Sequence, residues 1–331
     1  MQRIGMVGAG GMGTNHASCY ARMPDAKVVA VMDIRPEAAR KLAEAHGAEA
    51  YTDLGEMLAT AELDAVDVCT PTPWHSECVV AAAKAGKHVV SEKPMARTIE
   101  QCRQAIAAVE EAGVRYMVAH VLRYFPEFRR AKELIEAGAV GKPAIVRTSR
   151  GGSYPRAWED WFAKVEWSGG VILDLIIHDF DWLIWCFGDA DRVFAKSIMF
   201  DGHDHLDYAL VTIRFKSGVI AHVEGSWANP RGFMVKVEVA GDGGLLELDE
   251  TMGAPLVVAR SAAEAAHVGV PVPESPTHLS PYFLELEHFI QCLESGTEPE
   301  ITPREAMRAV EVAVAAIESV RTGRPIELSN E

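Results

Sequence analysis

The feature that most constrains this fold is a glycine-rich segment, GAGGMG, at residues 8–13, directly after the apolar run Ile4–Val7. A helical pattern over Met12–Met23 follows it. In such a G-x-G-x-x-G pattern, the first glycine permits a tight turn and the second lets a pyrophosphate approach the backbone. The third glycine lets the helix pack closely on the strand, and the helix N-terminus faces the phosphates. The predicted dinucleotide-binding residues of this segment are Gly8, Gly10, Gly11, Met12 and Gly13.

An acidic residue completes this pattern. Asp33 ends the second apolar run, Val28–Met32, and lies 33 − 13 = 20 residues past Gly13. A carboxylate at this point accepts hydrogen bonds from the adenosine ribose hydroxyls and repels a 2′-phosphate, which favours NAD over NADP. Arg35 is compatible either with a solvated side chain or with binding of that phosphate. We therefore expect NAD as the cofactor, with NADP as the alternative.

The first 120 residues alternate between short apolar runs and helical patterns. The strand-like runs are Ile4–Val7, Val28–Met32, Ala65–Cys69, His88–Val90 and Tyr116–Ala119. Such alternation is typical of βαβ units and a parallel sheet. The sequence predicts an α/β, doubly wound Rossmann domain over residues 1–121.

After residue 122 the strand-like runs follow one another with few helices between them. They are Pro143–Arg150, Val193–Phe200, Tyr208–Phe215, Val219–Trp227, Met234–Ala240 and Leu245–Leu248. This pattern predicts an α+β domain over residues 122–331 with a large, mainly antiparallel open sheet. In Tyr208–Phe215 one alternating set of residues is core-like and the other is mixed, which would suit a subunit interface.

Composition excludes several classes of partner. The 331 residues carry 32 Lys and Arg against 47 Asp and Glu, a net charge of −15, so we expect neither nucleic acid nor anionic membrane as a partner. None of the six cysteines forms a CxxC pair, which favours reduced thiols. The most hydrophobic stretch, 170–187, is too short and too polar to span a bilayer. We expect a cytoplasmic protein.

Two polar segments follow predicted strands, where open α/β sheets bind their ligands. The first follows Ala65–Cys69 and either contacts the cofactor or serves as a turn before the next helix. The second contains Lys93, which either polarises a substrate oxygen or is a solvated turn residue, and Pro94, before which the peptide bond can be cis. The predicted cofactor contacts here are Thr70, Pro71, Thr72, His75, Glu92 and Lys93.

A third group of polar residues lies in an apolar helical pattern, Val171–Phe187. Asp174 and His178 are four positions apart, so one continuous helix would place them on one face. Because the pattern is apolar nearly all round, the helix is predicted to be buried. Burying these side chains is costly unless they are paired or line a cavity, so they are either functional or a satisfied core pair.

Taken in order, these segments resemble the Gfo/Idh/MocA family, which includes glucose–fructose oxidoreductase and inositol dehydrogenase. The motifs that carry the resemblance are 8–13, Thr70-Pro71 with His75, 85–89 (AGKHV), Glu92-Lys93-Pro94, Gly169-Gly170 with Asp174 and His178, and Tyr282 with Glu285 and Phe289. They span nearly the whole chain and are most similar to the inositol dehydrogenase branch. The resemblance implies a Rossmann domain followed by an α/β domain whose open sheet forms a dimer or tetramer interface.

The resemblance also implies site residues. Lys93, Asp174 and His178 would be catalytic, and Arg123 falls where the branch has a residue lining the substrate or nicotinamide site. Many members have glycine two residues after the aspartate, whereas Ile176 stands here and either narrows the pocket or packs. Trp161, in a Trp-rich loop, is either a sugar-stacking surface or a core residue.

We therefore expect a dehydrogenase that oxidises a secondary alcohol of a cyclic polyol or sugar, with His178 as general base and Lys93 stabilising the oxygen. The alternatives are an NADP-linked carbonyl or sugar reductase and a non-catalytic NAD(P)-binding regulatory protein. NAD-dependent glycoside cleavage is a minor further alternative. The segment Asp201–Asp207, with His203 and His205, is interpreted as a polar turn, and no metal is expected.

Overall fold

A computed structural model describes residues 1–199, 206–229, 233–249, 256–260 and 279–328. Within these residues the strands are β1 (Gln2–Val7), β2 (Ala26–Met32), β3 (Glu49–Tyr51), β4 (Ala65–Val68), β5 (His88–Glu92), β6 (Tyr116–Ala119), β7 (Pro143–Gly151), β8 (Ala190–Ser197), β9 (Tyr208–Phe215), β10 (Ile220–Ser226), β11 (Met234–Gly241), β12 (Gly244–Asp249), β13 (Leu256–Arg260) and β14 (Ile326–Glu327).

The α-helices of the same residues are α1 (Gly11–Tyr20), α2 (Pro36–His46), α3 (Leu54–Thr60), α4 (His75–Lys84), α5 (Ile99–Ala112), α6 (Pro126–Glu136), α7 (Val165–Ser168), α8 (Gly170–Asp174), α9 (Ile177–Phe187), α10 (Pro281–Ser295) and α11 (Pro303–Thr322). Short 3-10 turns occupy Thr72–Trp74, Val121–Tyr124 and Trp158–Ala163.

The chain divides into two compact units. The first comprises Met1–Tyr124 and Leu279–Met307, and the second comprises Phe125–His278 and Arg308–Glu331. Helix α10 belongs to the first unit because it packs against α1, whereas the sequence division at residue 121 assigned it to the second domain. Periodicity locates a helix but does not show which sheet it covers.

The first unit contains the predicted Rossmann sheet. Its six described strands are all parallel, in the order β3-β2-β1-β4-β5-β6, with buried apolar side chains such as Ile4, Val66 and Val89 between the helices. The sequence indicated five of these strands and missed β3, because Glu49-Ala50-Tyr51 is short and has no apolar run. The fold class predicted for this part of the chain is confirmed.

The second unit contains the predicted, mainly antiparallel sheet. Its described strands follow the order β13-β12-β11-β7-β10-β9-β8-β14 and pair antiparallel except for β7 with β10. Alternation in β9 is as predicted: Ala209, Val211, Ile213 and Phe215 are buried, while Leu210 on the other face is 42% exposed. Strands β13 and β14 were missed.

The predicted helix Val171–Phe187 is buried but not continuous. It divides into α8 and α9, and the amide of Ile176 donates to the carbonyl of Val171 at 3.0 Å across the break. A Cβ at Gly225 of β10 would lie 2.6 Å from the Ile176 side chain, so Ile176 packs on bare backbone there. The prediction that Asp174 and His178 share one helix is therefore wrong: Asp174 ends α8 and His178 lies in α9.

Other expectations fall partly outside the described residues. His203 and His205 lie outside them, as do residues 261–278. Among the helices that the structure describes, none has the length and apolar character needed to cross a membrane.

Candidate functional site

The glycine segment forms a cradle between β1 and α1 in the first unit. Gly8 has a φ of +102°, and a Cβ there would lie 2.6 Å from the carbonyl oxygen of Cys69. A Cβ at Gly13 would lie 1.9 Å from the carbonyl oxygen of Gly8, so neither position accepts a side chain without backbone movement. At Gly10 and Gly11 a Cβ would have nothing within 4 Å. Two glycines thus close the turn and two leave open space at the N-terminus of α1, which fits a pyrophosphate.

Asp33 is tied to this cradle. Its Oδ2 accepts a hydrogen bond from the Ala9 amide at 2.9 Å, and Arg35 donates from its own amide and from its guanidinium, all at 2.9 Å. Burial alone would raise the pKa of Asp33, but the hydrogen bonds from Arg35 and Ala9 outweigh it and lower that pKa. Arg35 is therefore held against an ionised carboxylate rather than simply solvated.

The segment after β4 lies beside the same cradle. A Cβ at Gly8 would be 3.0 Å from the Thr70 amide nitrogen, and the Thr70 Oγ1 is buried without a hydrogen-bond partner among the described residues. Such an orphaned hydroxyl fits a site that a polar ligand completes. The buried His75 ring lies 2.7 Å from the carbonyl oxygens of both Thr70 and Pro94, so it joins the two segments. Other cofactor residues predicted in this unit are Met12 and Pro71, half-buried, and Thr72, buried.

Lys93 follows β5 at the carboxyl end of the parallel sheet. Its amide donates to the Glu92 Oε2 at 3.0 Å, and its peptide bond to Pro94 is cis. The Glu92 carboxylate is buried, which would raise its pKa, but the hydrogen bond and charge of His16 lower it. Glu92 is therefore ionised inside the unit, where it contacts the His16 ring and accepts a hydrogen bond from the Lys93 amide.

Sequence reasoning missed His16, which lies in a buried group that we call the His16 cluster: His16, Tyr20, Asp67, Cys69 and Glu92. The His16 Nδ1 lies 2.9 Å from the Asp67 Oδ2, and its Nε2 lies 3.3 Å from the Glu92 Oε1. Tyr20 donates to Asp67 at 3.0 Å and the Cys69 thiol donates to Asp67 at 3.2 Å. The members are spread from position 16 to position 92, so local spacing carries no signal of them.

Arg123, which with Lys93 is a predicted substrate residue of the first unit, lies in the 3-10 turn Val121–Tyr124 and is 1% exposed. Its amide donates to the His120 carbonyl at 3.1 Å, and its Nη1 lies 3.9 Å from the Glu305 Oε1. A guanidinium buried to this degree needs anionic or carbonyl partners, so Arg123 is not a solvated surface side chain.

The other predicted substrate residues lie in the second unit. Asp174 is 9% exposed at the end of α8, His178 is half-buried, and Trp161 stacks on Phe162 with ring centroids 3.9 Å apart. Sequence reasoning missed Tyr154. Burial, together with the carboxylates of Asp207, Asp160 and Asp174, raises the pKa of Tyr154 to about 12, so its hydroxyl keeps its proton among acidic neighbours.

Two further buried contacts that involve charged side chains of the second unit were also missed. The Arg150 Nε donates to the Asp179 Oδ2 at 2.6 Å, and both side chains are almost fully buried. Asp207 accepts from the Val171 amide at 2.8 Å, and burial raises the pKa of Asp207 to about 6. Both pairs join residues at least 29 positions apart, beyond the reach of helix or strand periodicity.

Comparison with known proteins matches both parts of the chain. Residues 2–120 match the family model described as "Oxidoreductase family, NAD-binding Rossmann fold", and residues 128–247 match "GFO/IDH/MocA C-terminal domain". A myo-inositol 2-dehydrogenase of Thermotoga maritima is 32% identical, covering 98% of each chain. A scyllo-inositol 2-dehydrogenase (NAD(+)) of Bacillus subtilis is also 32% identical, covering 98% of this chain and 96% of that one.

A solved structure is similar over the whole chain. The WlbA dehydrogenase of Bordetella pertussis, in complex with NADH and UDP-GlcNAcA, superimposes with a TM-score of 0.88 at 26% identity, covering 100% of this chain and 98% of that one. The NAD-binding Rossmann domain predicted from the glycine segment and Asp33 is thus confirmed.

Proposed function

Because this chain belongs to the Gfo/Idh/MocA family of oxidoreductases, we propose that it is an NAD-dependent dehydrogenase acting on a secondary alcohol of a cyclic polyol or sugar. The observation that carries the substrate class is the 32% identity, over 98% of the chain, to enzymes named myo-inositol and scyllo-inositol dehydrogenases. The ionised Asp33 carboxylate supports NAD over NADP, because it repels a 2′-phosphate.

In this proposal the first unit holds the dinucleotide. The backbone of 8–13 and the N-terminus of α1 hold the pyrophosphate, and Asp33 accepts hydrogen bonds from the adenosine ribose. The orphaned Thr70 hydroxyl supplies a further hydrogen bond. When bound, NAD⁺ supplies the acceptor for the hydride that leaves the substrate carbon.

Residues of this chain bind the substrate oxygen and take its proton. Lys93 donates a hydrogen bond to it and stabilises its developing negative charge. His178 takes the hydroxyl proton, since histidine titrates near neutral pH, and Asp174 orients His178 or Lys93 or holds a neighbouring hydroxyl. Arg123 is assigned to substrate binding because of the family resemblance, and Trp161 because a tryptophan in this loop can stack on a sugar.

We also propose that the chain forms a homo-oligomer, a dimer or tetramer, through the outer face of the second unit's sheet. Ile145 and Ile220 are paired neighbours on adjacent strands, and Leu210 lies on the next strand; each is about 40% exposed. The double variant Ile145→Glu/Ile220→Glu is expected to sediment as a smaller species than the wild type, and an unchanged sedimentation coefficient would count against this face.

The enzymatic proposal is tested by following NAD⁺ reduction over inositols, aldoses, sugar acids and amino sugars. Lys93→Met is expected to lower kcat on the best substrate by about 10³-fold, while NAD⁺ still raises the melting temperature. His178→Ala is expected to lower kcat and remove the neutral-pH dependence of kcat.

The alternatives predict other results. Activity that requires NADPH and a carbonyl substrate would replace this proposal with the reductase. NAD⁺ binding without turnover of any alcohol or carbonyl would replace it with the regulatory protein.

A further inference from the structure

The His16 cluster lies entirely within the first unit and joins three of its elements. His16 and Tyr20 come from α1, Asp67 and Cys69 from β4 and the residue after it, and Glu92 from the end of β5. His16 and Asp67 are completely buried. Only Glu92 was predicted to be functional, so the remaining side chains need another explanation.

Charge explains why the cluster holds together. A buried carboxylate is costly unless a cation or several donors face it. Burial by itself would lower the pKa of His16, but the Asp67 carboxylate, 2.9 Å from the His16 Nδ1, favours the protonated ring and raises that pKa. Burial raises the pKa of Cys69, so its thiol stays protonated and serves as a donor to Asp67. The cluster is therefore an imidazolium held between two carboxylates.

The cluster reaches the proposed catalytic lysine through Glu92. One oxygen of that carboxylate, Oε1, lies 3.3 Å from the His16 Nε2, and the other, Oε2, accepts the Lys93 amide at 3.0 Å. With both oxygens engaged, the carboxylate has one orientation, and this orientation fixes the peptide plane from which the Lys93 side chain departs. Removing His16 leaves one oxygen without its cation and releases that constraint.

We propose that His16 is a positioning residue for Lys93 and acts through the Glu92 carboxylate. The proposal rests on the catalytic role assigned above to Lys93. This role differs from a direct contact of Glu92 with the cofactor. In that case replacing Glu92 would lower activity, whereas replacing His16 would not.

A competing explanation is a bound metal. The ligand atoms of His16, Asp67 and Cys69 lie within 4.8 Å of one another, close enough to hold an ion. However, the His16 Nδ1 and the Cys69 thiol already hydrogen-bond to the Asp67 carboxylate, so these three ligand atoms are accounted for without an ion.

The test compares His16→Gln with Tyr20→Phe. Both change the same buried cluster, but Tyr20→Phe removes a donor to Asp67 and leaves the His16–Glu92–Lys93 contacts intact. We expect His16→Gln to lower kcat by about 10- to 100-fold, the usual range for residues that orient a functional side chain, with the Kd for NAD⁺ within about threefold of wild type. Tyr20→Phe is expected to change kcat by less than about threefold. Glu92→Gln should resemble His16→Gln, and the double variant should be no slower than the slower single variant.

A second readout does not need turnover. In protein labelled with ¹⁵N-lysine, the Lys93 amide signal is assigned by its loss in Lys93→Met. We expect its hydrogen exchange to become at least about tenfold faster in His16→Gln and unchanged in Tyr20→Phe, because only the former loosens the acceptor of that amide.

The outcomes separate this inference from the proposed function. If Lys93→Met abolishes turnover while His16→Gln keeps wild-type kcat and Lys93 exchange, the positioning role is wrong and the proposed function stands. If Lys93→Met stays active, the assigned role of Lys93 fails, and His16 with it. A stoichiometric metal that is present in wild-type protein and lost in His16→Gln would also overturn the inference.

Discussion

Two aspartates, one in each unit, have similarly low exposure, and yet their pKa values are shifted in opposite directions. Asp33 in the first unit is 6% exposed and Asp207 in the second is 5% exposed. Each accepts hydrogen bonds from two backbone amides. The pKa of Asp33 is lowered, whereas that of Asp207 is raised to about 6. Burial acts on both carboxylates, but at Asp33 it is opposed by the guanidinium of Arg35, which hydrogen-bonds to both oxygens, whereas at Asp207 backbone amides alone oppose it.

Backbone donors alone therefore do not offset the burial of a carboxylate here, and a fitted cation does. The consequence differs between the units. The first unit keeps a fixed negative charge where a ribose is expected to bind. The second keeps a carboxylate that takes up a proton near pH 6 and whose charge acts on Tyr154.

The largest effect is expected where a cation is removed from a buried carboxylate. Arg150→Met leaves Asp179 buried without its partner, so the free energy of unfolding should fall by about 3–5 kcal/mol. Denaturant titration at pH 7 measures it. The matched control is Arg147→Met on the same strand, whose partner Glu238 is partly exposed, and the expected loss there is under about 1 kcal/mol.

The double variant Arg150→Met/Asp179→Leu sharpens this comparison. Replacing both charges with apolar groups removes the unpaired carboxylate, so most of the lost stability should return. If Arg150→Met alone were as mild as Arg147→Met, the rule drawn from Asp33 and Asp207 would not extend to this pair.

The first unit could be predicted largely from its sequence because its constraints are local. Gly13 is required by its contact with the Gly8 carbonyl within one turn, Gly8 is required by its positive φ, and Asp33 follows at a fixed spacing from them. The apolar runs of the parallel strands are equally local. Two features of this unit could not be predicted from the sequence. Strand β3 is too short and polar to give an apolar run, and the contact of His16 with Glu92 joins residues that are far apart along the chain.

In the second unit the decisive contacts are not local. The apolar pattern continues through Leu175 and Ile176, so nothing in it marks the helix break, which depends on packing against Gly225 of β10. The Arg150–Asp179 pair depends on which strand meets which helix. Sequence supplied the sheet and the buried helix, but not the surroundings of Asp174.

A pH-dependent effect is expected at Asp207. Its folded pKa, about 6, lies above its ordinary value of 3.8, so the folded state holds a proton that the unfolded state has released. The wild type should therefore lose stability relative to Asp207→Asn as the pH rises from about 4 to about 6, by about 3 kcal/mol in all.

Above about pH 6 the difference between the two proteins should stay constant, because Asp207 is ionised in both the folded and the unfolded states. Asparagine keeps an acceptor for the Val171 amide, which limits the change to the charge. Thermal unfolding of both proteins across this pH range measures the difference, and parallel curves would show that Asp207 is ionised throughout, as Asp33 is.

The smallest effect is expected at Asp33, where the pair with Arg35 can be taken apart in two steps. Asp33→Ser removes the charge that repels a 2′-phosphate and releases Arg35 to bind one, so the ratio of the Kd for NAD⁺ to that for NADP⁺ should rise by about tenfold or more. Asp33→Ser/Arg35→Ala removes both the repulsion by the carboxylate and the attraction by the guanidinium, so its ratio should lie between those of Asp33→Ser and the wild type. Titration of each protein with both nucleotides measures the ratios. If the two variants gave the same ratio, Arg35 would serve only to keep Asp33 ionised, and its position beside the ribose site would have no bearing on cofactor choice.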